Sequence, residues 1–259
     1  MTEDNNALLR LQNISLAFGG LKAVNDISFS VKRNEILSLI GPNGAGKTST
    51  FNLITGVYTP TSGDIVFKNM NLKKYKPHQI TNLGIARTFQ NIRLFKQLTV
   101  LENIMLAMHK NRSIGFIASL LPFGKGKKEL AGAMEKAHEY LQYANLGEYG
   151  NLKAENLPYG KQRELEICRA LATGADLLLL DEPAAGLNPS ETSALMDTIK
   201  MIKNKLNKSI FLIEHDMKLV MGISDRIVVL DYGEKIAEGA PDEIKNNPSV
   251  IKAYLGQES

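Results

Sequence analysis

The spacing of apolar and polar positions changes twice along the chain, which predicts a β-rich beginning, a helical middle and a mixed end. Short β-branched and apolar runs separated by turn residues predict strands at residues 8–17, within residues 27–40 and at residues 64–67. Between residues 98 and 149 the apolar positions follow helical spacing, interrupted by a Lys/Gly-rich break at residues 124–128. We interpret this middle stretch as a helical insert.

After the insert, helices and short strands alternate, which is the order of an α/β fold. The predicted helices span residues 160–173, 189–206 and 241–255. The predicted strands span residues 177–180, 209–213, 226–231 and 234–237, and Tyr232 and Gly233 join the last two. A chain of 259 residues can bury these elements as one large domain or as one domain with a subdomain.

A glycine-rich segment, GPNGAGKT, lies between a strand-like run and a helix-like run and matches the pattern G-x-x-x-x-G-K-[ST] in full. Its glycines let the backbone turn so that N–H groups face phosphate oxygens, and its lysine supplies a positive charge for the β- and γ-phosphates. Its threonine hydroxyl can ligate Mg²⁺, whereas an ordinary turn requires no Lys-Thr pair. The candidate nucleotide-binding residues are Gly41, Pro42, Asn43, Gly44, Ala45, Gly46, Lys47, Thr48 and Ser49.

In the sequence LLLLDEP, two acidic residues directly follow four leucines. Burial of that strand places Asp181 at its carboxyl end, where α/β sheets bind ligands, so Asp181 can hold Mg²⁺ through water. Glu182 then faces the γ-phosphate and is our candidate for the base that polarises the attacking water. His215 follows the strand SIFLI in the same way, and we count it with Glu182 and Lys47 as a catalytic candidate. We expect the other histidines at the surface, namely His78, His109 and His138.

Composition narrows the class of protein without selecting a ligand. With 44% hydrophobic and 22% charged residues, the chain is typical of soluble globular proteins. Its net charge of +4 suits an anionic ligand, nucleic acid or an anionic membrane surface equally well. Its one cysteine, Cys168, excludes an intrachain disulfide and lies on the apolar face of a predicted helix, where we expect it to be buried.

The order of the motifs resembles the ATP-binding subunits of ABC transporters. GPNGAGKT, a glutamine after a short strand in GIARTFQN, a helical insert, LPYGKQRELEICRALA, LLLLDEP, AAGLNP and IEHD follow one another at that family's approximate spacing. The resemblance covers nearly the whole chain and implies an α/β P-loop NTPase core of the ABC ATPase type, with an N-terminal antiparallel β-subdomain. It places the core at residues 8–92 and 158–257, a helical signature subdomain at residues 93–157 and a polar tail at residues 1–7.

The resemblance also implies roles for single residues. Phe18 would stack on adenine, although its place in LAFGG also fits a core aromatic at a strand end. Gln90 would ligate Mg²⁺ together with Thr48 and Asp181, and it would sense the membrane partner. Residues 157–161, including Gly160, would be the signature segment that reaches across a dimer. Residues 185–188 would contact the second subunit, and His215 would be the switch histidine.

The implied cofactors are ATP and Mg²⁺, and the implied partners are a second ABC ATPase subunit and transmembrane permease subunits. The chain's ending and its LPYG segment look like the branch that energises import of branched-chain amino acids. We therefore expect a peripheral protein at the cytoplasmic face of the inner or plasma membrane, without nucleic acid as a partner. An apolar run at residues 114–123 is shorter than the roughly 18 residues of a membrane span. It fits either a buried part of the insert or a permease contact.

The signature segment departs from the family pattern L-S-G-G-Q. This chain has Leu157-Pro158-Tyr159-Gly160-Lys161, so the serine hydroxyl and the first glycine, which in the family contact the γ-phosphate on the opposite subunit, are missing. Gly160 and the helix that starts after it still offer N–H groups and a positive dipole end.

Two of three alternative functions require sequence features that this chain lacks. A switch GTPase would carry N-K-x-D, but residues 204–207 read NKLN and end in Asn. An ABC-type ATPase that acts on nucleic acid or ribosomes usually carries two cassettes, a coiled-coil insert or cysteine-bound zinc, none of which this sequence contains. An ABC importer for another solute, such as urea, an amide or a different amino acid, shares every motif above.

Overall fold

The computed structural model describes residues 6–108 and 125–255, and side chains within this part except those of residues 125–130 and 255. Its strands belong to two sheets, and its helices pack against the sheets or against one another. Within the described residues, no helix combines the length and apolar character needed to cross a membrane. The apolar run at residues 114–123 and the histidine at position 109 lie outside this part of the chain.

The smaller sheet is antiparallel and has the order β2-β1-β4-β5. Its strands are β1 (Ala7–Phe18), β2 (Leu21–Lys32), β4 (Ser62–Phe67) and β5 (Met70–Asn71). Two glycines connect β1 to β2, and Gly19 adopts a positive φ of 58° that suits a tight turn. The predicted β-rich beginning is therefore confirmed, and it forms an antiparallel layer.

The larger sheet has six strands in the order β10-β9-β3-β8-β7-β6. All neighbouring strands in it are parallel except β10, which pairs antiparallel with β9. Its strands are β3 (Ile36–Ile40), β6 (Ile85–Arg87), β7 (Leu177–Asp181), β8 (Ser209–Ile213), β9 (Arg226–Asp231) and β10 (Glu234–Gly239). The predicted α/β architecture is therefore confirmed.

Both faces of the central strands are buried, which explains why their sequences are continuously apolar. Leu177 and Leu179 of β7 pack with residues of the antiparallel sheet, whereas Leu178 and Leu180 pack on the opposite face against helices. Those helices are α5 (Tyr159–Ala172), α6 (Pro189–Leu206) and α7 (Met217–Ile223). Because side chains alternate between faces, a slip of one residue would exchange the two cores, so the register is strongly specified.

The helical middle of the chain forms its own apolar cluster. It contains α3 (Val100–Met108) and α4 (Lys125–Tyr143), which pack together and against one side of α5. Leu165 and Cys168 of α5 belong to this cluster, whereas Ile167 of the same helix belongs to the cluster on the sheet. Cys168 is buried as expected, and burial raises the pKa of its thiol far above the usual range. The helix α5 therefore joins the helical layer to the sheet.

The closing helix predicted at residues 241–255 is wrong, because the chain forms two helices there. The helix α8 (Pro241–Lys245) ends before α9 (Pro248–Leu255) begins. Pro248 cannot donate the backbone hydrogen bond that a continuous helix would need at that position. The Asn247 side chain instead accepts the Ser249 N–H at 2.9 Å and starts the second helix.

One further boundary differs from the prediction, and two short helices were missed. The helix α4 begins at Lys125, inside the Lys/Gly-rich break. Lysine favours a helix, and a single glycine within one costs only about 1 kcal/mol. The short helices α2 (Pro77–Leu83) and α7 were missed, since seven residues give too few turns for a visible period. The remaining helix, α1 (Lys47–Ile54), lies where the glycine-rich segment predicts it.

Candidate functional site

The candidate site lies at the edge of the large sheet where four neighbouring parallel strands end. The strands β6, β7, β8 and β3 are adjacent, so the residues that follow them meet at this edge. In open α/β sheets this carboxyl edge is where ligands bind. Residues from four separate parts of the sequence meet here. This was expected for Asp181 and His215, which were each predicted to follow the carboxyl end of a strand.

The phosphate loop connects β3 to α1 in a backbone shape that only glycine supports. Gly41, Gly44 and Gly46 have φ of 147°, 81° and 97°. A Cβ on Gly41 would lie 2.0 Å from the Leu230 carbonyl oxygen, and one on Gly46 would lie 2.4 Å from the Ala23 carbonyl oxygen. The loop is therefore a tight cradle that side chains at these two positions would obstruct, as an anion-binding loop requires.

Lys47 is buried at the start of α1 and closes the loop from inside. Its ammonium donates to the carbonyl oxygens of Gly41 at 2.6 Å and Pro42 at 2.8 Å. Burial lowers the pKa of this ammonium below its usual value, and the nearby Glu182 carboxylate acts in the opposite direction. A phosphate at this position would offer the ammonium an anionic acceptor in place of neutral carbonyls.

Glu182 lies between Gln90 and His215. Its Oε2 accepts a hydrogen bond from Gln90 Nε2 at 2.8 Å, and its Oε1 lies 2.6 Å from His215 Nε2. Its backbone has a positive φ of 49°, a conformation that costs a non-glycine residue on the order of 1–3 kcal/mol. The backbone N–H of Glu182 donates to the Ile213 carbonyl at 2.9 Å, which fixes it against the end of β8. The structure thus joins three residues that the sequence singled out separately.

Asp181 ends β7 and is paired with the arginine of GIARTFQN, to which the sequence analysis assigned no role. Arg87, the last residue of β6, donates from Nη2 to Asp181 Oδ2 at 2.7 Å, and both side chains are more than nine-tenths buried. The position of Arg87 at the end of a predicted short strand could have indicated that it lies near the site. Strand order is a tertiary property, so the sequence alone could not make that pairing.

Glu214 is a second residue that sequence reasoning missed, although it directly precedes His215. Its carboxylate accepts the backbone N–H groups of Ala184 at 2.7 Å, His215 at 2.9 Å and Asp216 at 3.2 Å. Burial raises the pKa of Glu214, and these three donors partly oppose that rise. One carboxylate therefore ties the segment after Glu182 to the segment that carries the histidine.

A cavity of about 350 Å³ opens beside the phosphate loop. Glu182, His215 and the loop from Asn43 to Ser49 line it, together with residues of the β2 hairpin and Tyr232. Phe18 lies outside this lining, is 46% exposed and makes an edge contact with Tyr58 at 5.2 Å between ring centroids. It is therefore not a core aromatic. The other candidates outside the lining are Gly41, Pro42, Gln90, Gly160 and Asp181.

The signature segment contacts the loop at residues 185–188 of the same chain. The Tyr159 hydroxyl donates to the Ala185 carbonyl at 3.2 Å, and a Cβ on Gly186 would meet the Tyr159 ring at 3.2 Å. Gly160 is buried, and a Cβ there would lie 2.8 Å from Glu191 Oε1. No side chain caps the start of α5, where Pro158 precedes the first helical residue.

The expected surface positions of His78 and His138 are confirmed, because both side chains are exposed.

These residues fit a nucleotide with a magnesium ion. The loop offers backbone N–H groups and a lysine for phosphates. Thr48, Gln90 and Asp181 offer a hydroxyl, an amide and one carboxylate, and Mg²⁺ usually takes few protein ligands together with water and phosphate oxygens. Consistent with that mode, no cluster of three or more His, Cys, Asp or Glu side chains among the described residues could hold a metal by itself.

The chain is similar to known proteins over nearly its whole length. A family model described as "ABC transporter" matches residues 24–185, and one described as "Branched-chain amino acid ATP-binding cassette transporter" matches residues 234–259. The chain is 48% identical to the "High-affinity branched-chain amino acid transport ATP-binding protein LivG" of Salmonella typhimurium. That alignment runs over 250 residues and covers 96% of this chain and 98% of the relative.

Two solved structures are also similar. One is the ADP conformation of an ATP-binding cassette of an ABC transporter, with a TM-score of 0.82 at 31% identity, covering 96% of this chain and 99% of that one. The other is the dimeric structure of a bacterial ABC transporter cassette, with a TM-score of 0.72 at 25% identity, covering 90% of this chain and 98% of that one.

Fold and site together define an ATP-binding α/β protein of the P-loop class. The chain belongs to the ABC transporter family, as one of its ATP-hydrolysing subunits. The resemblance and the ABC ATPase fold class that the motifs indicated are thereby confirmed.

We predict that Lys47→Ala weakens ATP binding by about 10- to 100-fold, since one charge-assisted hydrogen bond contributes about 1.5–3 kcal/mol. Calorimetric titration of the purified chain with nucleotide measures this. The control is Lys73→Ala, which removes a surface lysine paired with Asp64 at 3.4 Å. Equal affinity of the Lys47 variant and the wild-type chain would contradict the role assigned to the phosphate loop.

Proposed function

We propose that this chain hydrolyses ATP to drive a branched-chain amino acid importer, acting at the cytoplasmic face of the membrane on a transmembrane permease. The observation that carries the enzymatic part is the position of Glu182 beside the phosphate loop, between Gln90 and His215. The solute class is supported by the LivG relative and by the matching model at residues 234–259.

In this proposal, the residues at the carboxyl edge of the large sheet and Phe18 have separate roles. The loop from Gly41 to Ser49 binds the phosphates, while Phe18 stacks on adenine. Thr48, Asp181 and Gln90 would hold Mg²⁺, which would neutralise charge on the phosphate oxygens when bound. Glu182 accepts a proton from the attacking water, and His215 orients the Glu182 carboxylate through the contact of 2.6 Å. Because phosphoryl transfer demands little covalent chemistry, positioning and charge neutralisation suffice.

Gln90 is proposed to report the state of the permease to the nucleotide site. It follows the short strand β6 and Phe89, at the start of the stretch that leads into the helical layer. Its side-chain amide touches Glu182, so a displacement of this segment moves a hydrogen-bond partner of the catalytic carboxylate. We keep the predicted boundaries of 8–92 and 158–257 for the core, and 93–157 for the helical subdomain, as part of this proposal.

We also propose that the functional unit is a dimer with a second, different ATPase subunit. A dimeric cassette is among the similar structures. In the dimer that the motif resemblance implies, Gly160 would face the nucleotide of the other subunit. Here Pro158 and Tyr159 replace the serine and glycine of the family pattern, and Tyr159 is bound to Ala185 of its own chain. A homodimer would lack the serine contact at both sites, whereas a partner with L-S-G-G would restore it at one.

We predict that Glu182→Gln leaves ATP affinity nearly unchanged and lowers the hydrolysis rate about 10²- to 10⁴-fold, because general-base catalysis typically contributes that much. Nucleotide titration and steady-state ATPase assays on one preparation measure both quantities. Glu148→Gln, at an exposed glutamate in the helical layer, is the matched control. Wild-type turnover in the Glu182 variant would refute the assignment of the base.

A second prediction concerns Gln90→Ala, which should reduce solute uptake more strongly than basal ATP hydrolysis. The reason is that Gln90 lies between the helical layer and Glu182 and takes no proton itself. Both rates are measured in vesicles containing the complete transporter. Gln97→Ala is the control, because Gln97 bonds Glu155 and Lys153 instead of the catalytic glutamate. Equal losses in both rates, or none, would remove the coupling role.

The altered signature predicts that the two nucleotide sites of the complete transporter differ by about tenfold or more in turnover, the effect of one charge-assisted hydrogen bond. The isolated chain should hydrolyse ATP slowly, and its partner and permease should stimulate it. Glu182→Gln should be more harmful here than the matching change in the partner subunit. If the two changes are equally harmful, or if the chain alone matches the complex in turnover, the heterodimer proposal fails.

A further inference from the structure

Arg87 belongs to the GIARTFQN segment, in which the motif assigned a role only to Gln90, and its guanidinium makes three polar contacts. Besides the bond to Asp181 at 2.7 Å, its Nη1 donates to Asn52 Oδ1 at 2.7 Å and lies 3.4 Å from Thr55 Oγ1. Asn52 is in α1 and Thr55 follows it directly. One side chain therefore connects the end of β7 to the helix that the phosphate loop leads into.

Two aromatic rings hold the same guanidinium. It lies 5.6 Å from the ring centroid of Phe51 in α1 and 5.2 Å from that of Phe89. Phe89 directly precedes Gln90, and Arg93 stacks on its ring at 4.1 Å. Arg87, Phe89 and Arg93 also line a cavity of about 430 Å³ between this segment, α2 and α5. The position of Arg87 thus depends on the segment that carries Gln90.

The charge of Arg87 matters because the pair with Asp181 is buried. Two buried opposite charges compensate each other, and removing one leaves the other without its counter-charge. In this arrangement, the Asp181 carboxylate would have to hold a divalent cation although the Arg87 guanidinium already contacts one of its oxygens. A neighbouring positive charge reduces the attraction of that carboxylate for a cation.

We infer that Arg87 is a positioning residue that fixes Asp181 and α1 relative to the Phe89–Gln90 segment, and that its charge weakens divalent-cation binding at this edge. The inference deepens the proposed function and rests on its assignment of Asp181 to the metal. The planar fork of Arg87 reaches Asp181 and Asn52 at once, which a lysine ammonium on a flexible stem does not reproduce. Arg87→Met therefore removes the charge, whereas Arg87→Lys keeps the charge and changes only the hydrogen-bonding geometry.

The first test measures Mn²⁺ binding to the full chain with ADP present, by electron paramagnetic resonance. Arg87→Met removes the charge and should tighten Mn²⁺ binding about three- to tenfold. Arg87→Lys keeps the charge and should stay within about twofold of wild type. Arg93→Met is the matched control, because Arg93 stacks on the same ring but makes no contact with Asp181.

Unchanged or weaker Mn²⁺ binding in Arg87→Met would overturn the electrostatic part of the inference, since a merely structural role predicts weakening. Thermal melting of each variant checks folding. If Arg87→Met does not fold, an altered Mn²⁺ affinity in Arg87→Lys overturns this part. If the wild-type chain with ADP binds no Mn²⁺, the proposed metal site itself fails, which is a distinguishable outcome.

The second test measures the stimulation of ATP hydrolysis by the permease in the complete transporter. Arg87→Lys should lose most of the stimulation relative to its own basal rate, because the fork to Asn52 and Asp181 is broken. Arg93→Met should keep it. Full stimulation in the lysine variant, or equal loss in both variants, would overturn the positioning role. A wild-type complex without stimulation would instead refute the proposed function.

Discussion

Parallel pairing of four buried strands is the constraint on which the rest of this structure depends. The strands β6, β7, β8 and β3 are neighbours that run in one direction, so everything that follows them lies at one edge. Because both faces of the central strands are packed, a shift of register would place each apolar side chain in the wrong core. The apolar packing that stabilises the fold therefore also fixes the positions of the polar residues at the edge.

At that edge, each principal charged group has a partner within the chain. Lys47 binds two carbonyl oxygens of its own loop, Asp181 binds Arg87, and Glu182 contacts His215 and Gln90. A buried polar group without a partner is costly, so these contacts stabilise the site before a nucleotide arrives. Binding of a nucleotide would then exchange one set of polar partners for another. The left-handed backbone of Glu182 is the strained element in this arrangement.

The helix α5 connects this edge to the helical layer. Its two faces pack in different apolar clusters, one on the sheet and one with α3 and α4. Its first residue, Tyr159, contacts Ala185 in the loop that follows Glu182. A rotation of the helical layer would therefore act on the loop through a side chain that the common L-S-G-G pattern does not contain. In this way the altered signature adds a contact within the chain itself.

Sequence alone determined the elements whose signals are local. The phosphate loop requires glycine and lysine at fixed offsets, the four leucines of β7 require burial on both faces, and strand ends identify Asp181, Glu182 and His215. Tertiary structure decided what depends on strand order and packing. The roles of Arg87 and Glu214 could not be predicted from motif spacing, because their hydrogen-bond partners lie in other segments of the chain. Similarly, the apolar pattern predicted one continuous closing helix, but Pro248 starts a second one. Local motifs depend on residues that are adjacent in the sequence, whereas an ion pair between strands forms only when the fold places those strands side by side.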